Sequence, residues 1–164
     1  WEIAAKNLDG PTALVLTRQS LPALGAHGLA DIRERGFRVV RRDLEQPAVV
    51  LAGSGSEVSL ALQAAELLAA RGVEAAVVSV MWRERMQRVL SADPRTLPAC
   101  PVVWAEAGIT TGWRAIARDR DQVVGLDRFG ESGPGPQVAA HLGLTATAIA
   151  NAACTALGLT ARWE

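Results

Sequence analysis

The feature that most constrains this chain is a set of short apolar runs without strict alternation: residues 13–17 (ALVLT), 37–40 (FRVV), 48–52 (AVVLA), 75–80 (AAVVSV), 101–106 (PVVWAE) and 122–127 (QVVGLD). A strand with one wet face alternates apolar and polar side chains. A strand covered on both faces has no such need, and that is the condition of strands in a parallel sheet with helices above and below. Helical stretches lie between the runs. The clearest, 57–71, sets Val58, Leu62, Ala65 and Leu68 on one stripe and Ser59, Gln63 and Glu66 on the opposite face. Ser54 and Glu57 have capping-box spacing at its start, and Gly72 can supply the left-handed residue that closes it. Residues 48–80 therefore read as a right-handed βαβ unit.

Thr145 can cap a last helix whose buried face is Ile149, Ala152 or Ala153, and Ala156 or Leu157, ended by Gly158. A short helix is predicted over 83–90, after which Asp93-Pro94 and Leu97-Pro98 force a loop. Another is predicted over 29–35. No internal repeat or composition shift divides the chain. The prediction is one α/β domain with an open, mostly parallel sheet and helices on both faces. The first 35 residues fit it least well and read as the tail of a preceding domain or a linker.

The chain has 164 residues, 49% of them apolar, enough for one ordinary core. Seventeen basic side chains balance seventeen acidic ones, so no whole-surface attraction for nucleic acid or an anionic membrane is expected. The apolar runs read as shorter than the roughly 20 residues of a membrane span, and the N-terminus lacks the order of a secretory signal. A cytoplasmic protein is the expectation. Two cysteines, Cys100 and Cys154, are too few for a disulfide framework or a zinc site and read as small buried hydrophobes.

Candidate sites are few. Gly53, Ser54, Gly55 and Ser56 follow an apolar run and open a helix, where free amides and the helix dipole can hold an anion. A tight strand-to-helix turn with a cap needs the same residues. Arg18 ends the first apolar run, where its guanidinium can grip a phosphate through two parallel bonds or form a surface ion pair. Glu106 can act as a base or cap the next helix. The glycine-rich loop 129–134 can shape a partner-facing surface or merely turn the chain. His27 and His141 have no acidic or cysteine neighbour at ligand spacing and read as spectators. Arg83, Arg85 and Arg88, with Glu84, read as a solvated face, and Trp82, Trp104 and Trp113 as core or interface anchors. Residue chemistry alone yields no catalytic set and no metal site.

Taken in order, the motifs resemble the carboxyl-terminal part of transketolase. They are GPTALVLTRQSLP at 10–22, RGF at 35–37, AGSGSEVSLALQAAELLAARGVEAAVVSV at 52–80 and TLP at 96–98. WAEAG at 104–108, GW at 112–113, FGESGP at 129–134 and LGLT at 142–145 complete the series. The resemblance implies that residues 1–35 are the end of a pyrimidine-binding domain. Residues 36–164 would be the family's third domain, a five-stranded mixed sheet with helices on both sides. It also implies that Arg18 reaches the phosphate of a sugar substrate.

Family members move a two-carbon ketol unit from a ketose phosphate to an aldose phosphate, using thiamine diphosphate and a divalent metal such as magnesium. The sequence contains neither a GDG-type diphosphate and metal motif nor a GVREH-like segment, so the chain is expected to be inactive alone. It would be a fragment of a longer enzyme or the C-terminal subunit of a split one, completed by the remaining domains or an N-terminal subunit and oligomeric when complete. Trp1 without a preceding Met favours a fragment or a processed chain. The departures are the segment around Met81, which lacks the family's proline, and Arg35, where the family has glycine. A free-standing anion- or nucleotide-binding module using residues 53–56, and a protein-interaction domain using exposed tryptophans, stay open as other functions.

Overall fold

Five of the six apolar runs pair into one sheet. In the computed structural model, which describes residues 1–25, 28–160 and 162–163, the strands are β1 (Phe37–Arg41), β2 (Val49–Gly53), β3 (Ala75–Val80), β4 (Val102–Ala105) and β5 (Gln122–Val124), in the order β1-β3-β2-β4-β5. β2, β3, β4 and β5 run parallel, and β1 is an antiparallel edge with Phe37 opposite Val80. The helices are α1 (Glu2–Lys6), α2 (Leu29–Arg35), α3 (Glu57–Ala69), α4 (Arg83–Ala92), α5 (Thr111–Arg114), α6 (Gly135–His141) and α7 (Ala146–Leu157). The fold is the five-stranded, mostly parallel α/β sheet that the pattern and the resemblance imply.

Alternate residues of each central strand serve two cores. Val49, Leu51, Val77 and Val103 pack with α3 and α7 on one face, while Val50, Ala52, Val78 and Trp104 pack with Met86 of α4 and Trp113 of α5 on the other. Both faces are therefore dry, which is why these strands do not alternate. On α3 the buried residues are Val58, Ala61, Ala64, Ala65 and Leu68. The predicted Val58, Ala65 and Leu68 are buried, Leu62 is half-buried, and Ala61 and Ala64 join the face because α7 lies alongside and alanines allow the close approach. α7 follows its prediction: Thr145 Oγ1 accepts from the Ala148 amide, Gly158 is left-handed, and Ile149, Ala153 and Ala156 are among its buried residues.

Two predictions are corrected. Residues 13–17 form no strand; they run extended with Leu14, Val15 and Leu16 exposed, since no neighbouring strand in this sheet offers them a ladder. Gly135–Leu157 does reach 23 residues at mean hydropathy 1.2, longer than the runs read from sequence. It is no continuous rod, because left-handed Gly143 (φ 78°) separates α6 from α7 and α7 turns its inner face to the sheet.

The N-terminal segment is fastened at β1. Arg38 Nη1 donates to the Gly25 carbonyl, and α2 packs on β1 and α4. Gly36 (φ 82°) ends α2 where a Cβ would stand 2.4 Å from the Trp82 carbonyl oxygen, so only glycine fits.

At the amino edge of the sheet, Asp121 (side chain 1% exposed) accepts from the Val102 amide, the Trp104 indole N–H and the Arg118 amide. Arg118 in turn donates to the carbonyls of Pro98 and Cys100. Asp121→Ala leaves those donors dry and unpaired. We expect a loss of about 3 kcal/mol, read as a lower urea midpoint with unchanged slope.

Candidate functional site

In a parallel sheet the side chains that follow the strands gather at the carboxyl edge, and ligands favour the point where successive connections leave in opposite directions. Here that point lies between β2 and β4, because β3 sits on one side of β2 and β4 on the other. Gly53 ends β2 and Ala105 ends β4, paired with each other. A Cβ on Gly53 would lie 2.9 Å from the Glu57 carbonyl carbon and the Val58 amide nitrogen, so the glycine lets α3 start against the strand.

The cleft between these strand ends holds two carboxylates. Glu106 Oε2 accepts from the Ser54 hydroxyl at 2.8 Å and from the Trp113 indole N–H at 3.2 Å. Glu57, only 4% exposed, accepts from the Ser56 hydroxyl at 2.6 Å. Burial pushes the Glu57 carboxyl above its ordinary 4.5; the Ser56 hydroxyl and the Ala107 amide oppose the rise, and the charge of Glu106 adds to it.

The predicted capping box is not formed. The Glu57 amide bonds the Ser54 carbonyl at 3.0 Å, while the Ser54 side chain leaves the helix for Glu106, 52 residues on. Glu106 caps no helix either, since its Oε2 already serves two donors from other elements. Gly53, Ser54, Gly55 and Ser56 thus form the turn foreseen from sequence, with both serine hydroxyls given to the chain's own carboxylates. Sequence reasoning missed Glu57 as a buried acid and the Trp113–Glu106 bond. The available signal was a glutamate next to Val58, at the start of the face that α3 buries.

Beside the cleft, Trp104 and Trp113 stack at 5.3 Å with 22° between planes, both 1% exposed. They are core anchors, while Trp82 is half-buried beneath Arg88. Arg83, Glu84 and Arg88 are exposed, as the solvated-face reading expects, while Arg83 also sits over the Trp113 ring at 5.9 Å and half-buried Arg85 donates to the Glu34 carbonyl. Thr110 donates through its amide and hydroxyl to Asp127, tying the loop after β4 to the loop after β5 and holding the Asp127 carboxyl below its usual range.

Arg18 lies in the exposed extended segment and forms no hydrogen bond or ion pair with any described residue. It is not joined to residues 53–56, although Leu21, Pro22 and Leu24 meet Gly55, Val58 and Ser59 around a cavity of about 20 Å³. His141 stands 3.4 Å from Glu131, and His27 lies outside the described residues. Cys100 and Cys154 are free thiols, half-buried and buried.

The raised Glu57 fixes the sign of a pH effect. The folded chain holds this proton more tightly than the unfolded one, so the Glu57 contribution is whole below about pH 4.5 and is lost as pH climbs through the folded value. Glu57→Gln has no such loss. Urea unfolding from about pH 4 to about pH 8 should therefore show the variant gaining on wild type as pH rises; a pH-independent difference contradicts this.

With the geometry established, the chain can be compared with known proteins. A family model described as "Transketolase-like TK C-terminal domain" matches residues 36–145. "Transketolase 2" of Xanthobacter flavus is 37% identical over 96% of this chain, which spans 24% of that protein. The crystal structure of transketolase from Campylobacter jejuni superposes with TM-score 0.76 at 30% identity, covering 90% of this chain and 22% of that one. A structure titled "Split gene transketolase, inactive beta4 tetramer" matches with TM-score 0.61 at 25% identity, covering 88% of this chain and 49% of that one. The chain spans about a quarter of the length of its full-length relatives. On the match to residues 36–145, together with the shared fold of the Campylobacter jejuni structure, the chain belongs to the transketolase C-terminal domain family.

Proposed function

We propose that this chain is the carboxyl-terminal portion, or a separate C-terminal subunit, of a thiamine-diphosphate-dependent transketolase that moves a two-carbon ketol unit between sugar phosphates, and that it is inactive alone. The observation that carries the reading is coverage: relatives named transketolase match 96% of this chain with 24% of their own length. The remaining three quarters has room for the cofactor.

The residues described here do not fit that cofactor. A divalent ion needs convergent oxygen donors and the rings need an enclosed slot. Among the described residues no three acidic, histidine or cysteine side chains converge. The carboxylate pair at the strand ends, Glu57 and Glu106, is turned onto serine hydroxyls and an indole of its own chain. Thiamine diphosphate and magnesium therefore belong, in this reading, to the missing domains or a partner subunit.

Arg18 supplies what this chain would add to substrate binding. Its guanidinium is exposed and unengaged among the described residues, as a group that grips a phosphate outside this domain would be. The domain boundary in this reading falls between residues 35 and 36, with the extended segment belonging to the preceding domain.

The test fuses the upstream three quarters of the Xanthobacter flavus relative to this chain. The fusion should transfer ketol units from a phosphorylated ketose, and the 164-residue chain alone should not; turnover by the chain alone ends the proposal. Arg18→Gln in the fusion should raise KM for the phosphorylated donor by about tenfold or more, with little change for the same donor lacking phosphate, because a charge-assisted pair is lost.

A further inference from the structure

The carboxyl edge carries more than the buried carboxylates. Beyond the extended N-terminal segment, the large apolar side chains left exposed are Met81 (62%), Ile109 (67%), Phe129 (96%) and Leu159 (40%). The first three lie in the segments that follow β3, β4 and β5, all leaving the carboxyl edge of the sheet. Leu159 lies beyond the end of α7, where Arg120 reaches the Ala156 carbonyl near the amino edge. Scattered apolar residues need no explanation, whereas three on the segments that leave one edge of a sheet do.

The loops that carry Ile109 and Phe129 are hydrogen-bonded to each other. The Leu126 amide bonds the Gly108 carbonyl at 2.8 Å, and Thr110 bonds Asp127. Glu131 then takes Arg128 at 2.8 Å. Phe129 thus stands in water on a loop braced on both sides, which removes much of the ordering cost of docking. Charges around it are mixed in sign, with Arg83 and Arg128 beside Glu84 and Glu131, so the edge favours an apolar partner surface over a highly charged one.

The chain path says what reaches this edge. Upstream polypeptide arrives through Leu21, Pro22 and Leu24, which lie against Gly55, Val58 and Ser59 at the start of α3, beside the carboxyl end of β2. It continues through α2 to Gly36, whose carbonyl accepts from the Met81 and Trp82 amides at the end of β3. The chain before Leu21 reaches back to α2, where Glu2 pairs with Arg33 in the last turn of the helix, ahead of Gly36, and the relatives carry about three quarters of their length on that side of the match.

We propose that the carboxyl edge, from Met81 through Ile109 to Phe129, is the surface that seats the cofactor-housing portion of the enzyme through an apolar patch, with Phe129, the most exposed of the three, as its main anchor. This rests on the reading under Proposed function and adds the face and the residues by which the two parts meet. It also gives the cleft at Glu57 and Glu106 a cover.

Hydrogen exchange on the free chain and on the fusion described above tests it. In an active fusion, amides at 81–82, 107–110 and 126–133 should exchange about tenfold or more slowly than in the free chain, while 43–46 and 118–121 stay unchanged. Ile109→Asp with Phe129→Asp should leave the melting of the free chain unaltered, since both side chains are exposed, and should lower activity of the fusion about tenfold or more. An active fusion protected only elsewhere, or a double variant of full activity, overturns this surface alone. A fusion that is inactive and unprotected throughout takes down the functional reading with it. If the free double variant melts early, the exchange pattern of the unmutated fusion still decides.

Discussion

The structure depends on the complete burial of β2. Every residue from Val49 to Gly53 is shut off from water, so both edges of the strand must find ladder partners and both faces must find a cover. β3 and β4 satisfy the edges. The helices α3 and α7 take one face, and α4 with α5 takes the other. Chain connections leaving β2 and β3 in opposite directions then leave the cleft between β2 and β4, so the position of Glu57 and Glu106 follows from burying one strand on all sides.

A second constraint runs along the sheet. Trp104 donates its indole N–H to Asp121 at the amino edge, Trp113 donates to Glu106 at the carboxyl edge, and the two rings stack between. Each ring gains its packing only because its polar end has a carboxylate to meet. The pair spans the core beneath α4 and α5 and holds the strand ends in register with the loops that carry Ile109 and Phe129. An edge whose loops are hydrogen-bonded to each other suits docking, because less freedom remains to be lost.

Much of the architecture was legible in the apolar runs. Period and length are local properties, and the runs at 48–52, 75–80 and 101–106 lie where both faces are dry. Residues 13–17 have the same local character and yet no ladder here, because composition does not say which sheet a strand belongs to. On α3 the predicted Val58, Ala65 and Leu68 are buried, and only Leu62 is replaced in the buried face, by Ala61 and Ala64, because periodicity shows that a face is buried but the neighbouring helix α7 decides how wide it is. At the candidate site the error was larger. Ser54 and Glu57 have capping-box spacing, but the Ser54 hydroxyl donates instead to the Glu106 carboxyl, which β4 brings beside it.

By itself the sequence determined the elements that need only near neighbours: strand runs, the Thr145 cap, the left-handed Gly158, and through the ordered motifs the family. Tertiary structure alone decided what depends on residues distant in the chain. It turned the 53–56 loop toward Glu106, buried Glu57, laid Arg83 on Trp113, and placed Met81, Ile109 and Phe129 on segments that leave one edge of the sheet. Hydrogen bonds within a turn are encoded by spacing of a few residues, whereas a bond spanning 52 residues exists only once the sheet has brought β2 and β4 side by side.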